Sequence, residues 1–407
     1  MTQPQGHSIL GASGAYRWLP APWGGGCTAS VSLSQGLHDE ESDFAAQGTA
    51  AHSLGEYCLH SQSQPWEIMG TKIDGDTFYP AGMAGGNEDK PGFVVDKEMA
   101  DAVQVYLDAV QEWHPDRNQG NSFVEKRFHC PTIHPLFYGT SDLVYIDHDH
   151  RTLHIWDYKH GAGIVVEAEN NPQLMYYACG AIEELALWER IDNVVMHIAQ
   201  PRGFHFDGPI RQSTIDTNTL VTWLEDVLIP AMDKALIEGS RETASGDHCR
   251  FCPARAYACP QIMQDIDELE KLNNMPAEQL TIDQLARRMK LFNVFKIAHK
   301  ADEETTFKLL TSGKEVPGWK LAPKRANREW KEGAEKEIKK KFGAKALTVP
   351  ELKSPAQIDA MPEGKAQTAR WAFKPETGLT VVPMDDARPA VNTSTKSLFE
   401  AKPKKGK

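Results

Sequence analysis

Residues 138–159, Tyr-Gly-Thr-Ser-Asp-Leu-Val-Tyr-Ile-Asp-His-Asp-His-Arg-Thr-Leu-His-Ile-Trp-Asp-Tyr-Lys, constrain the fold more than any other stretch. Leu143, Val144, Tyr145 and Ile146 form a β-branched and aromatic run, and Leu153, Ile155 and Trp156 resume it after polar turn residues 147–151. The pattern predicts two strands and a tight turn. Side chains two apart on a strand share a face, so Asp157 and Lys159 project together. In an antiparallel hairpin the start of one strand lies beside the end of the next, which brings Asp142 next to Asp157. Two carboxylates and a lysine on one sheet face suit a hard divalent cation with a positive group beside it. Aspartate at strand ends is also ordinary turn chemistry, and Asp-x-Lys an ordinary surface ion pair.

The flanking sequence predicts alternating helices and strands. Residues 1–12 read as a flexible N-terminus. Cys27 follows a Pro- and Gly-rich turn and precedes Ala29, Val31 and Leu33, at the mouth of a helix. Residues 43–59 read as a helix carrying His52 and Glu56 four apart, residues 61–95 as a long loop or insertion, and residues 97–113 as an amphipathic helix. A strand over 123–128 contains Glu125. After the hairpin, Asn171 and Pro172 start a helix running to Leu187, with Gln173 and Tyr177 on one face. A strand at 194–199 and a helix at 220–236 follow. This order predicts an α/β architecture, a mixed sheet flanked by helices.

Length and composition bound the rest. The 407 residues are enough for roughly two or three domains. No apolar run reaches the ~18 residues of a membrane span, and no secretory signal opens the chain, so no membrane partner and a cytoplasmic location are expected. Seven cysteines in such a chain favour metal or cluster ligation over disulfides. A net charge of −12 argues against a uniformly basic nucleic-acid surface but leaves room for a local basic groove.

Taken in order, His52, Asp142, Asp157-x-Lys159 and Gln173-x-x-x-Tyr177 resemble the RecB-type branch of the PD-(D/E)XK nuclease superfamily. The resemblance covers roughly residues 13–260 and implies a restriction-endonuclease-like core. It implies Mg²⁺ or Mn²⁺ bound by His52, Asp142, Asp157 and the carbonyl of Tyr158, with Lys159 acting on the nucleophilic water and Gln173 and Tyr177 positioning DNA or Lys159. Glu125 resembles the acidic residue often found on the preceding strand. Cys249-x2-Cys252-x6-Cys259 with Cys27 looks like the split iron–sulfur module of AddB-type nucleases, which holds a [4Fe–4S] cluster; four thiolates also suit structural Zn²⁺, and His248 could substitute as a ligand. Cys58, Cys130 and Cys179 read as buried thiols.

The whole chain also resembles a family of uncharacterised bacteriophage and prophage proteins, through Arg17-Trp18, residues 48–52 (Gly-Thr-Ala-Ala-His), residues 171–174 (Asn-Pro-Gln-Leu) and residues 318–320 (Gly-Trp-Lys). That implies a bacterial host cytoplasm and partners such as a phage single-strand annealing protein or recombinase. The function these resemblances imply is a metal-dependent DNA exonuclease acting on single strands or duplex ends. An endonuclease or nickase of the same fold, and a non-cutting DNA-binding module, are the alternatives.

The expected organisation is a nuclease domain with its cysteine module over 13–260, a helical and basic accessory region over 261–384, and a disordered basic tail over 385–407. Residues 319–345 hold ten basic and four acidic residues, with Trp319 and Trp330 among them. That mixture suits single-stranded nucleic acid, or equally a solvated helix with local pairs such as Glu332–Lys336 and Glu335–Lys339.

Overall fold

The structure is a computed structural model. It describes the chain apart from residues 1–7, 38–41, 84–85, 118–119, 240, 257–258, 325–328, 332, 348–353, 356–357, 359–360, 362, 374–377, 384–388 and 392–407. The chain divides into two units, Met1–Ile297 and Ala298–Lys407.

In the first unit, α1 (Ala15–Trp18), α2 (Ala29–Leu33) and α3 (Asp43–Ser61) come first. A small sheet of β1 (Lys72–Asp74), β2 (Thr77–Tyr79) and β3 (Phe93–Val94) follows, then α4 (Lys97–Trp113). The Ser42 hydroxyl accepts from the Ala45 N–H to start α3, and the Asp96 carboxylate accepts from the Met99 N–H to start α4. The segment expected to be a long loop or an insertion contains a three-stranded antiparallel sheet, with β1 in the middle. Its strands are two or three residues long, too short for alternation to register. Residues 8–12, expected to be loose, are also corrected. Leu10 is fully buried, and the Ser8 hydroxyl donates to the Leu136 carbonyl.

The central sheet contains β4 (Ser122–His129), β5 (Tyr138–Asp147), β6 (Thr152–Tyr158), β7 (Asn193–Ala199) and β8 (Ile210–Asp216) in that spatial order. Pairing is antiparallel except between β6 and β7, which are parallel, so the sheet is mixed as expected. A parallel pair needs a crossover, supplied by α5 (Pro172–Glu184). Asn171 caps α5 by accepting from the N–H groups of Gln173 and Leu174. The helix ends before Leu187, the expected limit. The strand at 210–216 was not expected. Its outer positions are polar or half-exposed, which gives no apolar run.

Every residue of β6 is buried because both faces of the sheet are covered. Val144, Ile155, Met196 and Ile198 pack with α5 on one side. Leu143, Trp156 and Tyr158 pack with residues of α3 and α4 on the other. Gly180 lets α5 approach β4. A Cβ there would lie 2.4 Å from two ring carbons of Phe128, itself fully buried. Gly180→Ala is expected to destabilise the protein by about 1–3 kcal/mol through overpacking. Chemical denaturation tests this: the midpoint should fall with an unchanged slope, and an unchanged midpoint would mean that the ring moves aside freely.

Beyond β8, α6 (Thr217–Trp223), a π-helical turn (Leu224–Leu228) and α7 (Ile229–Leu236) run continuously, and α8 (Pro260–Asn273) and α9 (Ile282–Thr311) follow. The division between units falls within α9. In the second unit, β9 (Trp319–Pro323), β10 (Glu329–Trp330) and α10 (Ala334–Phe342) cover much of the basic stretch. Trp330 packs on a small core of Ile338, Ala346 and Ile358. Lys339 pairs with Glu335, and Lys341 pairs with Glu363. The Glu332–Lys336 pair lies outside the described residues, as does the 385–407 tail except for residues 389–391. Among the described residues no helix is long and apolar enough to cross a membrane.

Candidate metal centre

The hairpin register builds the site. Leu143 pairs with Trp156, so the preceding Asp142 lies across from Asp157. The Tyr158 N–H donates to Asp142 Oδ2 at 2.7 Å. On the other side of β5, Val124 pairs with Leu143 and Lys126 with Ser141, which puts Glu125 across from Asp142. Here the ladder is interrupted, because Glu125 has φ of +47°. A non-glycine residue held there costs on the order of 1–3 kcal/mol, and such strain clusters at functional positions. The third element is α3, which brings His52 Nδ1 to 3.3 Å from Asp142 Oδ2. The His52 ring stands edge-on to Tyr158, with centroids 5.3 Å apart.

Ligand-type atoms of His52, Glu125 and Asp142 all lie within 4.8 Å of one another. They line a cavity of about 10 Å³, the scale of one water or ion, together with Glu56, Tyr106 and Tyr158. Burial pushes the Glu125 carboxyl up to about 8, and the neighbouring Asp142 charge adds to the effect. Burial would also raise Asp142, but His52, Lys159 and the Tyr158 N–H outweigh it and hold that carboxyl below its ordinary value. For His52, burial opposes protonation, but Asp142 and Asp157 win and raise its pKa. Two carboxylates and an imidazole crowded in a half-buried pocket have the donor set that a divalent cation would relieve.

Asp157 stands apart from this trio. Its Oδ2 is 2.8 Å from Lys159 Nζ, and the carboxyl is raised by burial and by Asp142, against the pull of Lys159. Lys159 Nζ also donates to Gln173 Oε1 at 3.1 Å, and Gln173 Nε2 donates to the Tyr177 hydroxyl at 2.9 Å. The residues anticipated from sequence therefore form two adjoining groups, the trio and an Asp157–Lys159–Gln173–Tyr177 chain. Tyr106 was missed. It fits the apolar stripe of α4 and reads as core, yet its buried hydroxyl has no hydrogen-bond partner among the described residues, and the Asp142 and Glu125 charges reach it.

Four of the cysteines come from the two segments expected to share a cluster. Cys27, Cys249, Cys252 and Cys259 are all buried. Burial pushes Cys27 up, with the charges of Cys252 and Cys259 adding to it; burial pushes Cys249 up to about 12, with the other three adding. The four thus lie within electrostatic reach of one another. Their segments are laced together. Arg17 donates to the Phe251 carbonyl at 2.9 Å, the Ala29 N–H to the Glu242 carbonyl, and the Glu242 N–H to the Thr28 hydroxyl. Gly25 lies against His248, where a Cβ would meet Nδ1 at 2.1 Å. Among the described residues no three cysteine sulfurs lie within 4.8 Å of one another, so the four are more widely spaced than the ~3.8 Å of a zinc tetrahedron with 2.3 Å bonds. Cys58, Cys130 and Cys179 are buried, as expected.

Fold and site together define an α/β protein with a carboxylate–histidine pocket at the edge of its central hairpin. The chain belongs to a family described as a protein of unknown function, DUF2800, whose model matches residues 7–389. No solved structure matches the chain.

Proposed function

We propose that this protein is a metal-dependent deoxyribonuclease, an exonuclease that hydrolyses phosphodiester bonds during phage recombination or DNA processing. The observation that carries the reading is the meeting of His52, Glu125 and Asp142 beside Lys159. A Mg²⁺ or Mn²⁺ ion held by these three residues would polarise the scissile phosphate and acidify a water. Lys159, oriented by Asp157 and Gln173, offers a positive charge to the developing charge on phosphorus. Asp157 thereby takes a role its sequence position alone does not suggest, holding the lysine rather than joining the trio. Tyr177 fixes the Gln173 amide so that its oxygen faces Lys159. In the same reading the four cysteines hold a [4Fe–4S] cluster that ties residue 27 to the 249–259 segment.

The test uses end-labelled linear single- and double-stranded DNA and a covalently closed circle, each with Mg²⁺, Mn²⁺ or EDTA. Metal-dependent loss of the linear substrates with the circle intact is expected. Nicking of the circle would make the enzyme an endonuclease, and metal-independent binding without turnover would leave a DNA-binding module. For the cysteines, Cys252→Ser is expected to bleach visible absorption and to lower the melting temperature, because cluster binding contributes folding free energy. A colourless wild-type protein with stoichiometric zinc would reject the iron–sulfur assignment.

A further inference from the structure

Three histidines that the proposed chemistry does not use meet inside the first unit. His114 ends α4, His154 lies mid-β6 and His197 lies on β7. They are 1%, 6% and 0% exposed. One ligand-type nitrogen from each lies within 4.8 Å of the other two. His154 pairs with Tyr145, three residues along β5 from Asp142 and so roughly 10 Å from it, and the two groups share no residue, so the cluster is separate from the carboxylate pocket.

The hydrogen bonds of this cluster are incomplete among the described residues. His154 Nδ1 faces His197 Nε2 at 3.0 Å, and only one of the two can carry the shared proton. His197 Nδ1, fully buried, has no partner among the described residues. His114 bonds the Trp113 carbonyl, and its Nε2 accepts from the Trp156 indole at 2.9 Å. Stacking fixes two of the rings: Trp156 on His197 at 4.0 Å and Tyr145 on His114 at 3.9 Å. Burial keeps all three imidazoles neutral, lowering His114 to about 3 and His154 to about 4 and placing His197 well below its ordinary value. A neutral imidazole is a metal donor through its ring lone pair.

We propose that His114, His154 and His197 bind a borderline transition-metal dication of the zinc class, fastening the end of α4 to β6 and β7. Imidazole-only donors select such ions over Mg²⁺ or Ca²⁺, which need oxygen. A tetrahedral ion with ~2.05 Å bonds separates its nitrogens by about 3.3 Å, so the His154–His197 gap opens by only a few tenths of an ångström. The ion takes the Nε2 lone pair that Trp156 now uses, so one neutral hydrogen bond is exchanged for a metal bond. The Asp116 and Asp147 charges reach the cluster and offset part of the ion's charge. Trp113, partly exposed and edge-on to His197, marks the side from which an ion would enter.

The test is a Co²⁺ titration of the full chain as purified, in excess Mg²⁺ so that oxygen sites are filled. One equivalent with the visible d–d bands of nitrogen-ligated tetrahedral cobalt is expected, without the near-ultraviolet charge transfer that marks thiolate ligation. His197→Gln and His114→Gln should each lose it, while Cys252→Ser keeps it. Zn²⁺ should raise the melting temperature of wild type but not of the histidine variants. If His197→Gln fails to fold, His114→Gln at the helix end gives the same readout. Absence of the bands in wild type, or their persistence in folded His114→Gln, overturns the proposal.

Discussion

Lys159→Ala is expected to lower metal-dependent DNA cleavage by roughly 10²–10⁴-fold, the range for losing a positioned proton-transfer or charge-stabilising group. The ammonium is held on two sides, by Asp157 at 2.8 Å and by Gln173 at 3.1 Å, so its position is set before substrate arrives. Its removal takes from the buried Asp157 the cation that most opposes its neutralisation, while Asp142 stays beside it, and Asp157 relieves this by binding a proton. The sheet should survive, because Lys159 lies just past the end of β6 and its N–H still donates to the Ala199 carbonyl. Circular dichroism and the melting temperature check that. Gln173→Ala should cost far less, on the order of tenfold, because Gln173 only steadies the lysine. The measurement is single-turnover cleavage of labelled linear DNA in Mg²⁺. Full activity of Lys159→Ala, in a preparation shown free of other nucleases, would sink the nuclease assignment.

Much of the site was legible because strand alternation and helix spacing are local rules. The hairpin fixed Asp142 opposite Asp157, and the four-residue spacing placed Gln173 with Tyr177; both appear in the structure. What local rules could not show was partition. Glu125 rather than Asp157 completes the trio with His52 and Asp142, and this depends on a positive φ that breaks β4 at one residue. Nothing in Phe-Val-Glu-Lys-Arg-Phe announces that break. Tyr106 was hidden for the opposite reason, since it satisfies the apolar stripe of α4 so well that its hydroxyl passed unnoticed. The histidine cluster joins residues 40 and more apart along three elements, and no spacing rule reaches across that distance.

Divalent-ion affinity at the carboxylate pocket is expected to rise at least tenfold per pH unit between pH 6 and about 7, and then to flatten as Glu125 and His52 lose their protons. The Glu125 carboxyl, pushed up to about 8 by burial and by Asp142, holds a proton in the metal-free folded protein. That proton must leave before the carboxylate can ligate, as must the one His52 holds, so each ion bound near pH 7 releases more than one proton, one of them from Glu125. In the unfolded chain the same group titrates near its ordinary ~4.3. Between the two values the folded state binds more protons, so metal-free stability falls as pH rises through this window. The contribution is complete below the unfolded value and gone above the folded one. Glu125→Gln keeps the shape and removes the titration. Its metal-free form should therefore gain over wild type at pH 8, by on the order of 1–3 kcal/mol, and gain nothing at pH 4. The same variant should bind Mn²⁺ weakly, with its remaining pH dependence set by His52, which Asp142 and Asp157 keep protonated to higher pH despite its burial. Calorimetry in buffers of different ionisation enthalpy counts the protons directly. A wild-type proton release no larger than that of Glu125→Gln would mean that Glu125 is not a ligand. The ion would then rest on His52 and Asp142, with Asp157 freed from Lys159 as the remaining carboxylate.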